Sequence, residues 1–356
     1  MKNERSRKLL IAMFIALLCS LFFSVSIGVI NTPLSASVKS LIYAAGFPVA
    51  GIDPQQQLVL WSIRWPRTLL ATIVGAGLAI CGATMQGLFR SPLADPSIIG
   101  VSSGASVGAA AAIVLGSSLS PDIEQALFSY GFLLNYIVVS AMAFVGGFIA
   151  AIVVYRLGTS RGVTSVAAML LAGIAISALA GAFNNIFSFI ADDMALRRIS
   201  LWRMGSFDGA NWSQVGICAS LIGIVIAALS RYGKVLNTLL LGESEARHLG
   251  VNVQSVKLQL TAWAALGVGV AVSVSGVIAF VGLIVPHLVR LLIGVDHRML
   301  MPASALLGAI LLVLSDSLSR TVIAPIEVPV GIVTALLGAP FFIVLLLRQR
   351  QSLTPN

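Results

Sequence analysis

Few residues in this chain are placed to do chemistry, and the first informative feature is what they do not form. His248 and His297 fall in loops between apolar runs, and His287 follows Pro286 at a polar break. The acidic residues lie almost entirely in loops; Asp316, near the end of an apolar run and four residues before Arg320, is the main exception. A transporter coupled to protons or sodium buries acids or unwound polar segments in its spans, and only Asp316 offers that here. Cys19, Cys81 and Cys218 all sit in apolar segments, where cysteine acts as a small hydrophobe rather than as part of a disulfide or zinc framework. No G-x-x-x-x-G-K-[ST] loop occurs that would cradle nucleotide phosphates. These residues predict no catalytic centre, no metal site and no bound cofactor. Energy for any transport has to come from a partner, unless the protein is a passive channel or Asp316 serves a proton-coupled transporter.

Three polar clusters stand out from the apolar background. The first is L-L-L-G-E-S-E-A-R-H-L-G-V within the long polar segment 239–257. Between Gly242 and Gly250 the spacing predicts a short helix, with Glu243 and Glu245 at its start and Arg247 and His248 near its end, as a helix dipole favours. It reads either as an ordinary capped surface helix or as a docking element for a partner that drives transport. The second cluster runs from Arg90-Ser91-Pro92 through Asp95-Pro96 to Gly100-Val101-Ser102-Ser103-Gly104. Its prolines force a tight turn, and the small polar residues after it suit either close helix packing or a broken helix start lining a path. The third is Arg64-Trp65-Pro66-Arg67 with Arg320, cations that either snorkel to lipid headgroups or dock acidic residues of an outside partner. Asp316 is spaced to pair with Arg320 on one helix face.

The elements that must carry these clusters follow from composition. The 356 residues are 58% hydrophobic and 10% charged, with a mean hydropathy of +1.00. A soluble domain carries about 25% charged residues, so this chain has too little charge to cover a water-facing surface. Backbone facing lipid must satisfy its own hydrogen bonds, as a helix or a closed barrel. A barrel needs alternating segments of about ten residues, whereas the apolar runs here approach the roughly twenty of a spanning helix. The reading is an all-α polytopic membrane protein with helices near 9–30, 67–89, 97–116, 133–155, 164–188, 213–230, 259–278, 280–293, 303–320 and 330–347. Residues 9–30 follow Lys2, Arg5, Arg7 and Lys8 like a signal peptide, but the run is long and has no clean A-x-A site, so it is expected to be retained. The whole of 1–356 is expected to be one transmembrane domain.

The net charge of +9 is no nucleic-acid footprint, because the cations are spread over short loops. One set of loops holds Lys2, Arg5, Arg7, Lys8, Arg90, Arg156, Arg161, Arg231, Lys234, Arg247, Lys257, Arg298, Arg348 and Arg350. The other holds the smaller set Lys39, Arg64, Arg67, Arg197, Arg198, Arg203 and Arg320. This asymmetry predicts that both termini are cytoplasmic. Glycines inside the runs, among them Gly75, Gly104, Gly108 and Gly146, predict dense helix packing or breaks along a path.

The ordered motifs make the chain recognisable. They are R-W-P-R-T-L-L-A at 64–71, G-A-T-M-Q-G-L-F-R-S-P-L-A-D-P at 82–96, I-G-V-S-S-G-A at 99–105 and L-L-A-G-I-A at 170–175. L-G-E-S-E-A-R-H-L-G at 241–250, F-V-G-L-I-V-P-H-L-V-R at 280–290, D-H-R at 296–298 and E-V-P-V-G-I-V-T-A-L-L-G-A-P-F-F at 327–342 complete the series. With them the sequence resembles the permeases of FecCD-type (type II) ABC importers for iron siderophores, haem and vitamin B12.

The resemblance implies about ten spans per subunit in the bacterial inner membrane and a homodimer with the path at its interface. It also implies two cytoplasmic ABC ATPase subunits that hold ATP and magnesium, and a periplasmic substrate-binding protein. Such a permease is a translocation subunit and not itself an enzyme. Gly242, Glu243, Glu245, Ala246, Arg247, Leu249 and Gly250 would couple it to the ATPase, and Arg64, Arg67 and Arg320 would dock the binding protein. Ser102, Ser103, Thr164 and Ser165 match the narrowing of the path on the cytoplasmic side. One departure is Ser91, where the family more often has asparagine, though serine still caps such a turn. The cargo implied is an iron chelate, haem or a ferric siderophore, with cobalamin as the alternative.

Overall fold

The computed structural model describes residues 2–28, 32–44, 53–92, 94–117, 132–160 and 163–353. In chain order these form α1 (Lys2–Ser26), α2 (Leu34–Ala44), α3 (Pro54–Val59), a π-helical turn (Leu60–Arg64), α4 (Trp65–Phe89) and a 3₁₀ turn (Pro96–Ile99). Next come α5 (Val101–Ser117), α6 (Phe132–Gly158), a hairpin of β1 (Thr159–Ser160) and β2 (Val163–Thr164), α7 (Val166–Ile190) and α8 (Asp193–Met204). The chain continues through α9 (Trp212–Arg231), α10 (Gly233–Leu240), α11 (Glu243–His248), α12 (Val253–Ser275), α13 (Val281–Ile293), α14 (His297–Thr321) and α15 (Val330–Leu353).

Among the described residues, seven helices are long and apolar enough to cross a membrane. They are Ser6–Ser26, Pro54–Phe89, Ile137–Gly158, Val166–Ile190, Trp212–Arg231, Val253–Ser275 and His297–Thr321. Three shorter apolar helices, Val101–Gly116, Val281–Ile293 and Val330–Leu345, coincide with the remaining expected segments. The protein is an all-α, multi-pass membrane protein. Its helix starts follow local rules: Asp53, Ser165, Asp192, Asn252 and Asp296 each accept a backbone N–H at a helix N-terminus.

Several elements differ from the sequence reading, among them the β1–β2 hairpin and α10, which the expected series did not contain. The second span begins at Pro54 rather than near residue 67, so Arg64 and Arg67 sit within a continuous helical rod. Pro66 suggested a boundary because a proline ring crowds the preceding turn. The turn before it is instead widened, with the Trp65 N–H reaching back to the Leu60 carbonyl, and the helix runs through. Helices α2 and α8 were not anticipated, because both are short and α8 carries Arg197, Arg198 and Arg203. Packing holds them: Ala195 and Ile199 of α8 are buried with Ala110, Ile113 and Val114 of α5, and Ser40 of α2 accepts the Trp65 indole N–H at 3.0 Å.

The chain divides into two compact units. The first comprises Met1–Ala83, Phe207–Ile226 and Ile278–Asn356. Within it α1 packs on α14, and α14 on α13 and α15. Gly75 and Gly308 face each other so closely that a Cβ on either would strike the other's carbonyl. Trp61 stacks on Trp212 with ring centroids 4.5 Å apart, and the Trp212 indole donates to the Trp61 carbonyl. The second unit comprises Thr84–Ser206 and Ala227–Val277. It is built on α5 against α6, with α7, α8 and α12 around them. Gly104 of α5 and Gly146 of α6 are in the same mutual contact, so at these positions the glycines serve close helix packing.

Candidate functional site

In the second unit, the short helix α11 occupies Glu243–His248, bracketed by glycines as the spacing predicts. Gly242 has φ +122° and Gly250 φ +81°, conformations that side-chain-bearing residues rarely adopt. The Gly250 N–H closes the end of the helix on the Arg247 carbonyl at 2.9 Å, and the Val251 N–H bonds Ala246 O at 3.0 Å. Ala246 is fully buried and anchors the segment, while Glu245, Arg247, His248, Leu249 and Gly250 are exposed. The exposed face thus offers alternating charge and an apolar Leu249 that is 65% exposed. Glu243 is the tethered member: its Oε1 lies 2.7 Å from Lys257 Nζ, and its Oε2 lies 3.9 Å from Arg247 Nη2.

The residues expected at the narrowing fall into two places in the same unit. Ser102 and Ser103 are half-buried in the first turn of α5, which follows the left-handed Gly100, and Ser103 Oγ donates to Ser177 Oγ of α7 at 3.0 Å. Thr164 lies in β2, paired with Thr159, and Ser165 caps α7 by accepting the Ala168 N–H. The Thr164 N–H donates to Gln254 Oε1 at 3.0 Å, and its carbonyl accepts from Lys257 Nζ at 2.9 Å. Lys257 therefore touches both Glu243 and Thr164, a juxtaposition that counting it among loop cations missed. The available signal was its position within the first two turns of an apolar helix, where a cation has to find partners.

The arginines expected at the outer mouth belong to the first unit, and their exposure differs from the expected rim. Arg64, Arg67 and Arg320 are only 5%, 6% and 6% exposed. Arg67 Nε is 3.0 Å from Asp316 Oδ1, and its Nη1 is 2.7 Å from Glu327 Oε2. Arg320 Nε is 3.1 Å from Asp316 Oδ2, and its Nη2 donates to Ser24 Oγ at 2.9 Å. Arg64 Nη1 donates to the Val25 carbonyl at 2.8 Å and to Thr32 Oγ1 at 2.6 Å. The guanidinia turn inward because this chain supplies their acceptors, and a buried ion is tolerated only when so satisfied. Both Asp316 oxygens are engaged, so this carboxylate is paired rather than standing alone. Glu327 is the member of this cluster that sequence reasoning assigned no role.

Among the described residues no group of three or more His, Cys, Asp or Glu could hold a metal ion. His287 packs edge-on against Phe341, with ring centroids 6.1 Å apart. Among the described residues the chain presents a set of spans, an exposed charged knob tied to a helix start, and a buried ionic cluster. It contains no assembly resembling an active centre among these residues.

The chain is similar to known proteins over most of its length. The chain is 47% identical over 294 residues to the hemin transport system permease protein HmuU of Yersinia pestis, covering 82% of this chain and 84% of that one. It is 42% identical over 326 residues to the cobalamin import system permease protein BtuC of Halobacterium salinarum, covering 92% and 83%. A solved structure of a metal-chelate type ABC transporter in an inward-facing conformation superposes with a TM-score of 0.81 at 32% identity, covering 96% of this chain and 99% of that one. A model of the FecCD transport family matches residues 15–348, so spans, motifs and fold lead to one statement: this chain belongs to the FecCD transport family.

Proposed function

We propose that the chain is the membrane-spanning permease subunit of an ATP-driven importer for an iron chelate, with haem as the first candidate. It works as a homodimer in the bacterial inner membrane, with both termini in the cytoplasm. Two cytoplasmic ABC ATPase subunits supply the energy, and a periplasmic binding protein supplies the cargo. The observation that carries this reading is the Gly242–Gly250 knob: a short helix held at its base by Ala246 and Glu243, with its outer residues left for a partner. ATP binding would close the ATPase pair and move this segment, shifting two permease copies between outward- and inward-facing states.

Docking of the periplasmic binding protein is assigned to Arg64, Arg67 and Arg320 of the first unit. With the guanidinia buried, an acidic partner would have to compete with Asp316 and Glu327 for them. The narrowing is assigned to Ser102, Ser103, Thr164 and Ser165. The hemin relative favours haem, and the cobalamin relative supports a second reading in which the cargo is cobalamin; both cargoes are metal chelates of large tetrapyrrole-type rings. The deciding experiment is uptake into proteoliposomes containing the chain, its ATPase and its binding protein. Haemin, a ferric siderophore and cobalamin are compared with and without ATP. ATP-dependent haemin uptake is expected. Uptake of cobalamin alone selects the second reading, and uptake driven by a proton gradient without the ATPase refutes both.

A further inference from the structure

We propose that Lys257 is a strut that makes the Gly242–Gly250 segment and the hairpin opening α7 move as one body; this inference rests on the importer reading. Its side chain is 5% exposed, with Nζ 2.7 Å from Glu243 Oε1 and 2.9 Å from the Thr164 carbonyl oxygen. Glu243 is the first residue of α11, and Thr164 is the last residue of β2, immediately before the cap of α7. One ammonium thus spans the two places where the chain is expected to receive motion and to gate the path.

A second tie supports the first. Gln254, on the preceding turn of α12, accepts the Thr164 N–H at 3.0 Å. Both backbone polar groups of Thr164 are therefore held by side chains of α12, rather than by the short hairpin alone. The threonine hydroxyl completes the site, lying 3.0 Å from Thr159 Oγ1 and 3.4 Å from Tyr155 OH. Burial gives the strut its stiffness. An ammonium out of water cannot release one partner and wait, because an uncompensated buried charge is strongly unfavourable. When α11 is displaced and draws Glu243 with it, Lys257 follows, and the Thr164 carbonyl follows Lys257. Exposed Arg247, 3.9 Å from the other Glu243 oxygen, has water as an alternative partner and transmits no such pull.

An ordinary stabilising ion pair is distinguished from a strut by what a charge swap repairs. Glu243→Lys combined with Lys257→Glu restores the ion pair, but a carboxylate cannot donate to the Thr164 carbonyl. Lys257→Arg keeps both a cation and donors. The first readout is hydrogen exchange at residues 163–168 in lipid nanodiscs, which requires no transport. Glu243→Gln, Lys257→Met and the swap should each raise exchange there, whereas Lys257→Arg should stay near the wild type. The second readout is haemin or cobalamin taken up per ATP hydrolysed in the reconstituted importer. Lys257→Met and the swap should lower it on the order of tenfold, the scale of a typical coupling between sites, and Lys257→Arg should restore it.

Unchanged exchange in Glu243→Gln, or full recovery in the swap, overturns the strut even where the wild type transports. Failure of the wild type to take up either chelate with ATP overturns the importer reading instead, and the exchange measurement still decides the tie between the two segments.

Discussion

The two charged regions of this protein answer opposite demands. Around Glu243 the charges are exposed or half-exposed, spaced along one short helix, and tethered at a single point by Lys257. Around Asp316 they are buried, and each of the three arginines is held by several acceptors from separate helices or connecting segments. Exposed charge is screened by water and salt and remains available to a partner. Buried charge is bound to its neighbours and locks α1, α4 and α14 of the first unit together. The same residue types therefore leave exposed charge in one place and make an internal cross-link in the other, and burial decides which.

The sharpest way to break this contrast is Asp316→Ala. It leaves Arg67 and Arg320 without their shared carboxylate, and removing one partner of a buried ionic group costs about 3–5 kcal/mol. The expected result is a large fall in the melting temperature of the detergent-solubilised protein and in its level in the membrane. A protein with unaltered stability would show that the cluster is not a structural cross-link. Charge reversal at Arg67 tests the same point from the other side. It should destabilise the fold as well as weaken binding-protein docking, whereas a purely salt-dependent docking defect with an unchanged melt would make the arginine a docking residue first.

Gly242→Val ranks next. At φ +122° a β-branched side chain is strained by about 1–3 kcal/mol, so the knob should shift. Uptake per ATP should fall sharply while the spans still insert, measured by reconstituted transport alongside membrane quantification. Glu243→Lys should act in the same direction by placing two cations against each other, again with the protein retained in the membrane. Unaltered uptake in both variants would remove the segment from the coupling role. The smallest effect on the fold belongs to Leu249→Ser. This exposed position should change stability by no more than about 0.5 kcal/mol, yet weaken binding of the ATPase in a pull-down with purified subunits. Equal binding would mean that the partner contacts another face.

Much of this was legible from the chain alone because lipid makes strong demands. Long apolar runs can pair their backbone only as helices, and among the described residues each expected run is mostly helical, though Thr164 falls in the short hairpin. The glycine pair around Glu243–His248 was legible for a similar local reason, since only a few residues tolerate the left-handed backbone needed at such corners. Pairing of Arg320 with Asp316 was readable from their spacing of four on one helix. Helices α2 and α8 were not readable, because short polar-faced segments take their stability from what they pack against. The helical run through Pro66 was hidden as well, because a widened turn absorbs the proline by geometry rather than by composition.

Long-range partnerships mark the division most clearly. Residue type and order settled that the protein is a bundle of membrane helices, that it has the motifs of its family, and that residues 242–250 form a bracketed charged helix. These are local or compositional properties, governed by hydrogen-bond satisfaction, φ preferences and the scarcity of charge. Only the tertiary structure decided that Arg67 reaches Asp316 and Glu327, and that Lys257 joins Glu243 to Thr164. Those pairs are separated by long stretches of chain or lie on different elements, so no spacing rule connects them. Whether a cation lies on a rim or in a core is set by which helices close over it.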